Sequence, residues 1–183
     1  MYASHFSTAY GPGVVYATAE GVVRVELPDA GRNDATSQTG QETGLESSEI
    51  TVRAAGMLQR YFQGEQVDFS DVPVTFDGLT PFRRKILTAI RKLQYGEIST
   101  YGQVALECGS PSAARAVGGA LASNPIPVIV PCHRIVASDG GLTGFSAPGG
   151  MRTKLELLKM EGVVFKGELV VTNQLVMHRS SSQ

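Results

Sequence analysis

The residues best equipped for chemistry stand side by side: Cys132, His133 and Arg134 follow Pro131 at the end of the string N-P-I-P-V-I-V-P-C-H-R, residues 124–134. A thiolate attacks carbon readily, and a base and a cation beside a thiol favour that ionised form. His133 and Arg134 are such neighbours, so the expectation is a reactive Cys132. Taken alone, a Cys-His pair is a weak signal, and a packed core cysteine is its commoner meaning. Pro125, Pro127 and Pro131 fix φ and withhold backbone donors, which predicts a rigid extended run. Ile126, Val128, Ile129 and Val130 predict that this run is buried through a core and emerges at Cys132.

The rest of the chain bounds what that thiol serves. At 183 residues and 42% hydrophobic, it can bury a core as one compact unit or as a small domain joined to a larger one. No run is long enough to span a bilayer and residues 1–10 lack a signal-peptide pattern, so an intracellular protein without membrane contact is expected. Only Cys108 and Cys132 occur, with no CxxC or Cys/His cluster, so neither disulfides nor a metal site are expected, and no cofactor. The net charge of −1 conceals −7 over residues 1–80 and +6 over residues 81–183. That asymmetry means either an uneven surface or a C-terminal half that meets a polyanion.

The elements that must hold the site follow in order. β-Branched runs at 14–18 and 22–27, after Gly11-Pro12-Gly13, predict a hairpin. Residues 28–48 are polar with one large apolar residue, Leu45, and read as a mobile loop. Apolar spacing at Val52, Ala55, Leu58 and Phe62, with Ser48 as N-cap and Gly64 as stop, predicts an amphipathic helix over 49–63. These make an N-terminal α/β domain, residues 1–75. After an extended connection over 71–79, Thr80-Pro81 caps a helix carrying Phe82, Ile86, Leu87, Ile90 and Leu93 on one face and ending at Gly96. Its other face, with Arg83, Arg84, Lys85, Arg91 and Lys92, is either solvated or a phosphate-binding surface.

A short helix over 101–107 and another from Ser110-Pro111 through Ser123, across a turn at Gly109, resemble a helix-turn-helix. The second is built of small residues around Arg115; tight packing inside the domain is expected of Ala116, Gly119 and Ala120. A turn at 138–141 leads to a glycine-rich loop over 142–150 around Phe145 and Ser146, shaped for backbone contact with a ligand. Thr153 and Glu156 read as a capping box opening a last helix that ends at Glu161-Gly162. A tail over 164–183 adds a hairpin from two apolar triplets about Lys166-Gly167-Glu168.

With Thr80-Pro81-Phe82, Tyr101-Gly102, Ala114-Arg115-Ala116-Val117-Gly118, Asn124-Pro125 and Pro131-Cys132-His133-Arg134 in order, the chain resembles the 6-O-alkylguanine-DNA alkyltransferases over residues 75–163. The resemblance implies an α/β fold: a small ribonuclease-H-like N-terminal domain and a helical, winged-helix-like domain over 80–163 with the helix-turn-helix. It implies a suicide enzyme that repairs double-stranded DNA directly, moving the alkyl group of 6-O-alkylguanine irreversibly onto Cys132, as a monomer, in the cytoplasm of a prokaryote or the nucleus of a eukaryote. Cys132 would be the acceptor, His133 its base through a water, Glu161 the residue that orients His133, and Asn124 the brace of the cysteine turn.

The target base must leave the stack. By the same resemblance, the helix over 112–123 enters the minor groove, with Ser112, Ala114 and Gly118 allowing close approach and Arg115 filling the vacated stack. Tyr101 would crowd the neighbouring phosphate and bond the base, and Phe145, Ser146 and Ile135 would line the base pocket. Two departures stand out: the loop over 145–150 reads longer than the usual form by about two residues, and Phe145 stands where a tyrosine is frequent. N-terminal zinc-binding cysteines of some members are absent. Two alternatives remain at this point, a non-catalytic module that recognises alkylated DNA, against which Cys132 speaks, and a thiol hydrolase.

Overall fold

Residues 2–8 carry Ala3 and Phe6 among polar neighbours, little for a sequence pattern to register, yet they form strand β1 (Tyr2–Thr8). Its partner β2 (Gly11–Ala17) is longer than the hairpin reading allowed, and β3 (Val22–Glu26) completes an antiparallel sheet in the order β1-β2-β3. Gly11 and Gly13 are therefore strand residues. A side chain at Gly13 would run into the Phe6 ring and the Glu26 carbonyl, so this strand position admits only glycine. The computed structural model describes residues 1–28 and 44–171, and most of the loop expected over 28–48 lies outside them.

The described residues fall into two compact units, the first of residues 1–78, 125–129 and 147–149, the second of the remainder. In the first, helix α1 (Glu49–Phe62) opens where expected: the Ser48 side chain accepts from the Thr51 amide, and Thr51 answers on the Ser48 amide. Its buried stripe is Thr51, Ala54, Ala55, Leu58 and Tyr61. Val52 is 56% exposed, so the expected stripe was one residue out of phase at its start. Leu58 and Tyr61 are fully buried, and a large side chain so removed from water contributes about 1.5–3 kcal/mol. Phe6 stacks on Phe62, and Tyr61 meets Phe69 edge-on.

The second unit starts as its sequence predicts. Thr80 caps helix α2 (Pro81–Ile90) through the Arg83 amide with Pro81 in the first turn, and Ile86, Leu87 and Ile90 are buried. The helix stops at Ile90, not at Gly96. The Gln94 amide is taken by the Glu97 carboxylate and the Leu93 carbonyl by Arg134 Nη1, so those backbone groups leave the helical ladder. Strand β4 (Ser99–Thr100) then leads into helix α3 (Tyr101–Glu107), capped reciprocally by Thr100 and Gln103. Helix α4 (Ala114–Ala122) begins later than expected, because the Ala113 amide bonds the Ser110 carbonyl and Pro111 sits inside that turn. Ser112 is thus outside the helix. Helices α2, α3 and α4 pack on one another.

The proline-rich run is buried but not uniformly extended. Val128 adopts φ +72°, and Cys132–Arg134 form one turn of 3-10 helix. Strand β5 (Ile135–Val136) pairs in parallel with β4, Ser99 opposite Ile135 and Thr100 opposite Val136. Helix α5 (Gly150–Met160) starts ahead of Thr153, which is therefore an interior residue rather than a cap. The tail hairpin forms as strands β6 (Phe165–Lys166) and β7 (Leu169–Val170); the polar end beyond Val171 lies outside the described residues. Ile98, Val136, Leu158, Val163 and Val170 make a core beneath β4 and β5. No helix among the described residues is long and apolar enough to cross a membrane.

Candidate active site

The 3-10 turn splays consecutive side chains, and Cys132 and His133 accordingly look to different partners. Cys132 Sγ, with the residue 6% exposed, lies 3.1 Å from Asn124 Nδ2, which also donates to the Val130 carbonyl at 2.8 Å. His133 is fully buried, with Nε2 2.9 Å from Glu161 Oε1. Arg134 turns away from the sulfur as well: its Nε and Nη2 grip Glu161 at 2.8 Å each. The expectation that His133 and Arg134 flank and ionise the thiol is corrected on this point. Burial pushes the Cys132 thiol up from its ordinary value, and what pulls it back is the Asn124 hydrogen bond, the Lys154 charge and two backbone hydrogen bonds. At neutral pH the resting group is a thiol.

Lys154 is the residue that sequence reasoning missed. It is fully buried on α5, donates to the Ile135 carbonyl at 2.6 Å and the Thr143 carbonyl at 2.9 Å, and lies 5.9 Å from the centre of the Tyr101 ring. Burial pushes its ammonium down to about 8, with the Cys132 charge opposing. Its signal was present: position 154 falls in line with the buried Leu157 and Leu158, where a lysine is out of place.

An apolar cleft of about 600 Å³ is lined by Tyr101, Ala114, Arg115, Gly118, Phe145 and Ser146, with Ala122, Ala137, Thr143 and Gly144. Tyr101 stands at the first position of α3 with its hydroxyl donating to the Thr143 carbonyl at 3.3 Å. Burial pushes that hydroxyl up, so it remains a donor at neutral pH; the Thr143 contact opposes and the Cys132 charge adds. Cys132 is not itself on the cleft wall, but once ionised its charge bears on both Tyr101 and Lys154. Of the residues expected at a base pocket, Ile135 is fully buried and off the wall. Ser112 is exposed in the turn before α4 and is not a wall residue either. On α4 the expectation of internal packing holds for Ala120 and fails for Ala116 and Gly119, which are exposed.

Residues 81–163 match the family model described as 6-O-methylguanine DNA methyltransferase, DNA binding domain. A methylated-DNA--protein-cysteine methyltransferase of Haemophilus influenzae is 49% identical over 108 residues, 59% of either chain. One of Methanosarcina acetivorans is 36% identical over 171 residues, taking in 88% of this chain and 99% of the relative. The chain belongs to the methylated-DNA--protein-cysteine methyltransferase family. The mixed α/β fold of this family member resembles that of Mycobacterium tuberculosis OGT, solved in complex with DNA, at a TM-score of 0.70 and 30% identity over 88% of this chain and 92% of that one. As a methyltransferase of this family it has one further feature that its sequence conceals. Gly96, at φ +78°, brings its amide to 3.2 Å from Glu161 Oε2, and a side chain there would meet the Glu161 carbonyl at 2.9 Å.

Proposed function

We propose that the chain repairs DNA directly, transferring the alkyl group of 6-O-alkylguanine in duplex DNA to Cys132 once and irreversibly. The observation that carries the reading is a buried thiol held by Asn124 and felt by Lys154 and Tyr101, beside an apolar cleft, in a chain of this family. The thiol proton passes to His133 through a water, the sulfur bonds the alkyl carbon, and the bond from that carbon to the guanine oxygen breaks. The guanine keeps the electron pair and takes up one proton. Thiol and ether are consumed, thioether and guanine are formed, and nothing regenerates the thiol.

In this reading Glu161 orients His133 and Asn124 braces the cysteine turn. Arg115, exposed at the cleft, takes the place of the everted nucleotide, and the small exposed face of α4 at Ala116 and Gly119, with Ala114 and Gly118 on the cleft wall, admits the minor groove. Phe145, Ser146 and Tyr101 receive the base. The two units are read as a ribonuclease-H-like domain and a winged-helix-like domain, and the need for a reduced thiol fits an intracellular compartment.

Mass spectrometry after mixing with duplex bearing 6-O-methylguanine tests the reading. One added methyl on Cys132, absent in Cys132→Ala with duplex binding retained, is the expected result. Binding without any adduct supports a recognition module instead, and turnover beyond one equivalent a hydrolase.

A further inference from the structure

Glu161 sits just past α5 with both carboxylate oxygens engaged. Oε1 accepts from His133 Nε2 at 2.9 Å and Arg134 Nη2 at 2.8 Å; Oε2 accepts from Arg134 Nε at 2.8 Å and the Gly96 amide at 3.2 Å. Arg134 Nη1 is tied to the Leu93 carbonyl at 2.6 Å, so the guanidinium is held at both ends. A carboxylate gripped on both oxygens by a guanidinium is ionised and can only accept. Its imidazole partner must then donate. His133 therefore carries its hydrogen on Nε2, and Nδ1 is the basic nitrogen.

A buried carboxylate beside an imidazole does more than orient it. An opposite charge in a dry site raises the imidazole's pKa, and a base that is already protonated cannot take a proton from a thiol. Arginine stays charged at any pH a folded protein meets, so it balances Glu161 without that proton. We propose that Arg134 is a positioning residue that keeps His133 a neutral base by holding Glu161 in a permanent ion pair. The inference rests on the alkyl-transfer reading and gives Arg134 a task apart from the sulfur and from DNA.

The charged and titratable groups around His133 agree with it. Burial pushes the imidazole down from its ordinary value, Glu161 pulls it up, and Arg134 and then Lys154, reaching in from α5, push it down again. For Glu161 burial acts upward, and the imidazole and guanidinium together outweigh it, holding the carboxyl well below the usual range. Tyr95, donating to the Met160 carbonyl beside Glu161, is pushed up by burial and by Glu161 and stays neutral. Cys132, the next residue, is a thiol at rest. Removing the Arg134 charge while Glu161 remains takes away a downward push, so the His133 pKa rises.

The test follows methyl transfer to Cys132 over a pH series in the wild type, Arg134→Met and Arg134→Lys, with NMR titration of the His133 ring. Arg134→Met is expected to move the acid limb of the rate upward by about 1 pH unit or more, with a roughly 10-fold loss on the acid side of both limbs that is recovered in alkali. Arg134→Lys, which keeps a cation, restores most of the wild-type profile. In the wild type the ring is expected to be neutral at pH 7 with its hydrogen on Nε2. A rate lowered equally at every pH overturns the proposal, being the mark of a purely structural arginine. If Arg134→Met does not fold, the wild-type ring decides: an imidazolium at pH 7, or hydrogen on Nδ1, overturns it. Wild-type protein that takes no methyl at any pH sinks the alkyl-transfer reading itself, a result separable from the ring titration.

Discussion

Asn124 Nδ2 spans the 3.1 Å to Cys132 Sγ and the 2.8 Å to the Val130 carbonyl with a single amide. One side chain thereby both braces the Cys132 turn and favours the ionised form of its sulfur. Asn124→Ala removes a hydrogen bond that favours the thiolate, so the Cys132 pKa rises and the rate's dependence on pH moves to higher pH. It also takes one of two donors from the Val130 carbonyl, which keeps the Cys132 amide at 2.8 Å, at a cost of about 0.5–1.5 kcal/mol. Thiol alkylation against pH and urea unfolding of the same variant read the two effects separately; an unmoved pH profile speaks against this role for Asn124.

Lys154 makes a pH signature in stability. Its ammonium is pushed down to about 8 from an ordinary value of 10.5, chiefly by burial. Below pH 8 both folded and unfolded chains hold the proton; between about 8 and 10.5 the folded chain has lost it and the unfolded chain has not. Stability from this group therefore rises with pH across that window. Relative to Lys154→Met, the wild type should gain on the order of 2 kcal/mol between pH 8 and 10. Making the comparison in a Cys132→Ala background removes that thiol's titration, which Lys154 itself shifts, and the difference then cancels the opposite trend of the buried tyrosines. Parallel unfolding curves at both pH values refute the assignment.

Arg115 is exposed on α4 and lines the cleft, whereas Cys132, His133 and Glu161 are buried and not among the lining residues. Arg115→Ala should slow repair in duplex by roughly 10- to 100-fold and slow reaction with the free base 6-O-methylguanine much less, since only duplex demands an everted nucleotide. Single-turnover rates on the two substrates settle it. Equal losses on both remove the flipping role.

Much of this was legible because it is local. Ser48 and Thr80 cap helices through amides three residues on, and such patterns survive whatever the rest of the chain does. Strand β1 escaped because its inward residues include only Ala3 and Phe6 as buried apolar groups, and α4 was started too early because Pro111 serves a turn as well as it serves a helix. Val52 shows how an apolar residue one position off the buried face passes for part of it.

The site divides along the same line. Cys132, His133 and Asn124 stand within nine residues of one another, and their string announced them. Lys154, Gly96 and the Arg134 grip on Glu161 depend on partners far along the chain, 65 residues away for Gly96 and Glu161, so no local pattern contains them. Arg134 was assigned to the thiol because sequence adjacency was the available guide. The direction in which a 3-10 turn fans its side chains decided otherwise.

The two-residue parallel ladder of β4 and β5 is small, yet Tyr101 follows one strand directly and Arg134 precedes the other. It acts as a jig, clamping the Tyr101 ring and the Cys132 turn to a shared reference within a few bonds of each. Loops beyond it can change in length while the reach from phenol to sulfur stays set.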